Sequence, residues 1–201
     1  MSYATEFEVM ARPREFDEEE VLQRALELFR ARGFDGATLD ELEQATGLGR
    51  GSLYGAFGDK RSLFRKALAR YRDTALRERL AALEAPAAGR AEIVAVFASL
   101  AREAMADAQR KGCLATNCSV ELAERDPDLA GEAARCLDRF ERAFFSAIHR
   151  AQARGEMSPA RNAERLARFL TVVMEGMLVL ARARPESAWL EDTVAEVEAL
   201  L

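Results

Sequence analysis

Two short helix-forming stretches meet at Gly47-Leu48-Gly49, and that junction limits the possible folds more than any other part of the chain. Upstream, Thr38 and Glu41 have capping-box spacing, and Leu39, Leu42 and Ala45 return on one face until Gly47 stops the helix. Downstream, a second short helix runs from about Arg50 to Phe57, and Gly58-Asp59 breaks and recaps the chain. A glycine-containing turn of three to four residues between two short helices is the helix-turn-helix signature. Gly47 supplies the positive φ of such a turn, while Gly51 and Gly55 strip bulk from the exposed face of the second helix. A bare helix face can come close to another surface. In an ordinary helical hairpin, the alternative reading, each of those glycines would cost about 1 kcal/mol relative to alanine with no return.

The flanking sequence supports a helical fold. Asp17 and Glu20 are spaced as a capping box, Phe16 and Val21 as a staple, and Leu22, Ala25, Leu28 and Phe29 continue one face to Gly33. Another helix is predicted from Lys60 to about Leu83. Beyond Pro86, wider apolar faces predict helices over about 90–110, 113–124, 128–154, 159–183 and 186–201, with Ser158-Pro159 as a cap and Pro185 as a break. Residues 1–14 lack helical periodicity and read as a flexible N-terminal arm. With nearly half the residues apolar, mostly Ala and Leu, and only five prolines, the expectation is an all-α protein. A three-helix helix-turn-helix domain over 15–60 precedes a larger helical domain over 61–201.

The net charge is −5, yet from Gly47 to Arg72 seven cations (Arg50, Lys60, Arg61, Arg65, Lys66, Arg70, Arg72) face only Asp59. That imbalance points to a polyanion partner. No stretch is apolar enough to cross a membrane and no secretory leader is present, so the cytoplasm is expected. Cys113, Cys118 and Cys136 are then expected as reduced thiols. His149 is the single histidine, too few partners surround it for a metal site, and no cofactor motif is present.

The stretch ATLDELEQATGLGRGSLYGAFGDKRSLF (37–64) closely resembles the N-terminal pattern of the TetR family of bacterial transcriptional regulators. The resemblance implies that Thr38 caps the second helix and touches a phosphate. It puts Arg50, Gly51, Ser52, Leu53 and Gly55 on the groove face of the recognition helix, and Tyr54 and Lys60 on the DNA backbone. Arg50 is the best candidate for bidentate guanine reading. The sequence departs from the family where Gly49 replaces a usual Ser or Thr, leaving the recognition helix without a side-chain cap, and at Gly55, where a larger polar residue is common.

For the larger domain the resemblance implies effector binding and dimerisation. Its two last helices would form a four-helix dimer interface, with Val172, Val173, Met177, Leu178 and Leu180 on one and Trp189, Leu190, Val194 and Val197 on the other. Up to half of these residues are equally suited to the subunit's own core. Pocket candidates are Phe97, Leu100, Met105, Phe140, Phe144, Phe169 and Met174, which suit an apolar small molecule. The segment GCLATNCSVELAE (112–124) resembles one branch of the family and adds Cys113 and Asn117. Cys113 after Arg110 and Lys111 at a helix start favours a thiolate open to electrophiles or oxidants, and a packed cysteine is the other reading.

The expected function is therefore a homodimeric repressor, not an enzyme, released from a palindromic double-stranded DNA operator by a small molecule, electrophile or oxidant. A helical interaction module without DNA and a small helical enzyme are the alternatives. Salt-dependent binding to a palindromic duplex separates the first from both.

Overall fold

Asp17 opens the first helix, α1 (Glu18–Gly36), its carboxylate accepting from the Glu19 and Glu20 amides at 2.9 and 3.3 Å. Glu20 does not complete the box, because its carboxylate is engaged one turn on by Arg24 at 2.5 Å. The computed structural model describes residues 16–184 and 187–201. The arm expected at 1–14 and the break expected at Pro185 lie outside them.

Gly33, at φ 77°, kinks α1 where the sequence predicts its end. The kink folds Phe34 back toward the core, where Phe29 and Phe34 meet Phe64 edge-on at centroid distances of 4.8 and 5.1 Å. The turn–helix pair follows as α2 (Leu39–Thr46) and α3 (Arg50–Phe57). Leu26, Phe29, Leu42, Leu53, Phe57 and Phe64 close a small core beneath them.

The helix predicted from Lys60 to Leu83 is one helical run in three parts. α4 (Lys60–Tyr71) passes through a π-helical turn (Arg72–Leu76) into α5 (Arg77–Glu84). Thr74 Oγ1 donates back to the Arg70 carbonyl at 2.8 Å just there, a local competition with the helix ladder that no periodicity in the sequence announces.

Five further helices follow among the described residues: α6 (Arg90–Ala106), α7 (Leu114–Leu122), α8 (Pro127–Ala153), α9 (Ala163–Ala183) and α10 (Ser187–Leu200). α6 stops four residues short of the expectation because the Asp107 carboxylate accepts from the Gln109 and Lys111 amides, winding a turn. α9 likewise starts at Ala163 and not at Pro159. Asn162 is its cap, at 2.9 Å from the Arg165 amide, and Gln152 donates to the carbonyls of Ser158 and Arg161 to hold the preceding loop. α8 packs against α5, α7 and α9, with Phe97 of α6 stacked on Phe144 at 5.8 Å.

One buried acid stands out in this half. Thr116 on α7 donates a short hydrogen bond to Glu175 Oε2, while Glu175 Oε1 is buried with no partner among the described residues. Burial raises the Glu175 carboxyl above the ordinary carboxylate range. A carboxyl raised in the folded state stabilises most below its unfolded pKa and loses that contribution as pH climbs through the folded value. Glu175→Gln, which keeps the acceptor for Thr116, is therefore expected to melt higher than the natural protein at pH 7. The difference should vanish at about pH 4, and equal melting at pH 7 would refute the cost assigned to this charge.

Candidate nucleic-acid interface

The capping box of α2 is complete. Thr38 Oγ1 accepts from the Glu41 amide at 3.3 Å and Glu41 Oε2 accepts from the Thr38 amide at 3.0 Å. The Thr38 amide and hydroxyl, both donating to Glu41 Oε2 at 3.0 Å, hold the Glu41 carboxyl below its ordinary range. Gly47, at φ 73°, donates to the Glu43 carbonyl at 2.9 Å and turns the chain toward α3. Gly49 caps α3 without a side-chain bond, as its missing hydroxyl requires.

α3 presents Arg50, Gly51, Ser52, Tyr54 and Gly55 outward. A Cβ placed on Gly51 or Gly55 would meet nothing within 4 Å. Packing inside this subunit therefore does not demand these glycines, and the clearance they leave faces away from the body. Leu53 is a correction: it is fully buried and anchors α3 to the core, so it is not part of the groove face.

The exposed cations are few. Arg50 reaches back to α2, with Nε 3.2 Å from Glu43 Oε1 and Nη2 3.3 Å from Asp40 Oδ1. Lys60 Nζ lies 4.8 Å over the Phe34 ring and 3.4 Å from the Asp35 carbonyl, and this partial burial lowers its pKa. Thr38 is exposed beside them, and the Tyr54 hydroxyl has no partner among the described residues.

The remainder of the basic run is balanced in space. Arg61 grips Asp126 through Nε at 2.5 Å and Nη2 at 2.8 Å, Arg65 pairs with Glu132 at 2.8 Å, Lys66 with Glu18 at 3.5 Å and Arg70 with Glu19 at 3.4 Å. Arg72 takes Asp73, one residue beyond the stretch that seemed unbalanced. Asp126 also caps α8, and the Arg61 guanidinium holds its carboxyl down at about 2. Arg61 and Arg65 fasten α4 to α8, and Lys66 and Arg70 fasten it to α1. The polyanion argument keeps Lys60 without a carboxylate partner among the described residues, and Arg50 as an exposed cation already held by Asp40 and Glu43.

The expected pocket residues do not converge. Phe97, Phe140, Phe144 and Met174 are buried in the core, Leu100 borders a cavity, and Met105 and Phe169 are exposed. Asn117 donates to the Lys111 carbonyl at 2.9 Å and lies beside an open groove with Thr116 and Val120. Phe169 instead joins Val173, Trp189 and Val197 around a shallow apolar cleft between α9 and α10. Met177, Leu178, Leu190 and Val197 are buried in the subunit, which removes them from an interface, whereas Val172 and Leu180 are exposed and Val173, Trp189 and Val194 half-buried.

Cys113 caps α7 but is 4% exposed, with Sγ 3.2 Å from the Tyr71 hydroxyl, to which Arg79 donates at 3.1 Å. Lys111, which the sequence puts beside Cys113, turns away to Glu27 at 2.7 Å. Cys118 and Cys136 are buried too, their thiols pushed up to about 12 and about 11 by desolvation. A thiol-labelling reagent at neutral pH should find no fast site in the folded protein and three after denaturation. A rapid first equivalent assigned to Cys113 would restore the reactive reading.

Glu121 escapes sequence reasoning. Its carboxylate, on α7, accepts from the Phe34 and Asp35 amides at 2.8 and 2.7 Å, beyond the Gly33 kink. A Cβ on Gly33 would come within 2.5 Å of that carboxylate. Arg125 pairs with Asp35 beside it. The end of α1 is thus held by α7, across more than eighty residues of chain.

Comparison with known proteins agrees with this geometry. Residues 21–67 match the family described as bacterial regulatory proteins, tetR family, and 89–196 match the tetracyclin repressor-like C-terminal domain. YezE of Bacillus subtilis, an uncharacterised HTH-type transcriptional regulator, is 33% identical over 92% of this chain and 96% of its own. ComR of Escherichia coli, an HTH-type transcriptional repressor, is 32% identical over 85% of this chain and 82% of its own. A cysteine-substituted form of the TetR family regulator CifR, solved with a 26-base-pair operator duplex, superposes with a TM-score of 0.84 at 29% identity, covering 94% of this chain and 98% of that one. The chain, from its glycine-bare third helix to its helical C-terminal domain, belongs to the TetR family of bacterial transcriptional regulators.

Proposed function

We propose that the protein is a homodimeric repressor that grips a palindromic operator through α3 and lets go when a small molecule binds its larger domain. The observation that carries the reading is the outer face of α3. Arg50, Ser52 and Tyr54 project beside two glycines that leave open space, with Thr38 and Lys60 flanking them. Phosphate contacts by Thr38, Tyr54 and Lys60 position the helix, and Arg50 reads a base. The likeness to CifR solved on operator duplex and to the repressor ComR supports this assignment.

Two copies are needed because one α3 reads one half-site, and successive major grooves lie about 34–36 Å apart. The exposed apolar residues of α9 supply a surface for pairing. Division of the chain at about residue 60 fits the same scheme, with α4 as the connection. Ligand occupancy moves α1 and α4, which pack on each other and carry the DNA-reading helices, changing the separation of the two recognition helices. No helix among the described residues is long and apolar enough to cross a membrane. An electrophile would first have to reach a thiol buried against Tyr71, so a non-covalent effector is the better reading.

Footprinting on the DNA flanking the protein's own gene tests the proposal. A protected inverted repeat, with affinity falling steeply as salt rises, is the expected result. Binding that ignores symmetry and sequence would overturn it.

A further inference from the structure

Two arginines from separate helices converge on one short stretch of backbone, the turn between α6 and α7, and that turn carries a third. Arg30 of α1 donates through Nη2 to the Gly112 carbonyl at 3.1 Å. Arg182 of α9 donates through Nε to the Arg110 carbonyl at 3.1 Å, and its aliphatic stem lies so close to Gly112 that a Cβ there would sit 2.7 Å from Arg182 Cδ. Arg110 itself adopts φ 51°, a conformation unusual for a non-glycine residue, and carries the third guanidinium. All three border one cavity of about 350 Å³, whose apolar side is formed by Leu100, Leu178 and Ala181.

The charges around this cavity are not balanced. Arg110 and Arg182 have no carboxylate partner among the described residues. Arg30 shares the single carboxylate of Glu27 with Lys111, at 3.3 and 2.7 Å, and its Nε is buried without any hydrogen-bond partner. The acids on the cavity wall are already engaged: Glu103 takes Arg79 at 2.7 Å, and Asp107 uses both oxygens on the Gln109 and Lys111 amides. Planar guanidiniums with free N–H groups, gathered beside an apolar wall, match a carboxylate or phosphate head on a short apolar body.

We propose that this cavity binds an amphipathic organic anion, held by Arg30, Arg110 and Arg182, and that this anion is the class of effector the protein answers to. The inference rests on the reading of an effector-released repressor, and adds the chemistry of the effector and its place. The place explains the coupling. Arg30 and Glu27 belong to α1, which packs on α2 and α4, so an anion that recruits Arg30 competes with the Arg30–Glu27 and Arg30–Gly112 contacts. Binding is thereby linked to the position of the DNA-reading helices, through contacts that differ between the two states.

Thermal melting of the full chain, at fixed ionic strength, tests the site with hexanoate, hexyl phosphate and hexan-1-ol. A saturable rise in melting temperature is expected with either anion, and none with the alcohol. The larger of the two responses identifies the head group. Arg110→Ala and Arg182→Gln alter exposed side chains, so each variant should stay folded, and its anion response is read against its own ligand-free melting temperature. Each should weaken the anion response by roughly ten- to a hundredfold in apparent affinity, the range for a hydrogen bond to a charged group. An equal response to hexan-1-ol, an undiminished response in both variants, or no response to either anion would overturn the site. DNA binding is read separately, by displacement of an operator duplex in the presence of hexanoate. Melting shifts without displacement would leave the anion site standing and overturn its role as the effector site.

Discussion

Val172→Asp is expected to yield a monomer that has lost specific operator binding by about a thousandfold or more, the lower end of the gap between specific and non-specific DNA affinity. Val172 is 70% exposed on α9, and Phe169, Gly176 and Val179 recur on the same face at helical spacing, with Leu180 beside them. An apolar stripe of that length on a surface helix calls for a cover. A two-fold interface sets each residue against its own symmetry mate or near it, so one substitution places two carboxylates in the buried seam. An unpaired charge in such a place costs about 3–5 kcal/mol. The substitution is chosen at Val172, and not at Leu178, because Leu178 is buried in the subunit and a charge there would unfold the chain. Light scattering gives the mass and circular dichroism confirms that the variant is folded. A one-chain mass for the natural protein would sink the dimer.

Arg50→Ala should relax sequence preference by about 1–3 kcal/mol at one base pair of each half-site, while Lys60→Ala weakens all duplexes nearly equally. The structure adds a second effect to the first. Arg50 stands between Asp40 and Glu43, so its removal leaves two carboxylates near where phosphates must come. Part of the loss in Arg50→Ala is then repulsion, which no base discriminates. Adding Asp40→Asn and Glu43→Gln to that variant should restore affinity for arbitrary DNA without restoring the preference. Competition binding with a series of single-base-pair operator variants measures both parts. If Arg50→Ala discriminates among them as the natural protein does, α3 reads DNA by other side chains.

The elements visible in the sequence are those written by neighbours within four residues. The Thr38–Glu41 cap, the Gly47 turn and the bare face of α3 all depend on local spacing, and the expected helix bounds there nearly coincide with the structure. Signals of that kind can mislead where two compete. Ser158-Pro159 looks like a helix start, but Asn162 takes the cap because Gln152 holds the loop between them. Leu53 seemed a groove residue because the family register put it on the recognition helix, yet it is on the inward side of that helix, fully buried in the core that also holds Leu42 and Phe57. The least legible features are pairings between distant segments. Arg61 with Asp126 and Glu121 with the end of α1 bind groups separated by scores of residues, and no period in the chain connects them. The same blindness made the cations of α4 look unopposed.

Those cations bear on how the protein finds its operator inside a cell. Any stretch of chromosome attracts a regulator in proportion to the loose positive charge the regulator offers, and the competing stretches number in the millions. Arg61, Arg65, Lys66 and Arg70 are committed to carboxylates of their own chain, so bulk DNA finds little on α4 to hold. Molecules that do not linger at wrong addresses remain free to sample the right one. A regulator built this way spends fewer of its copies on bulk DNA than the charges in its sequence suggest.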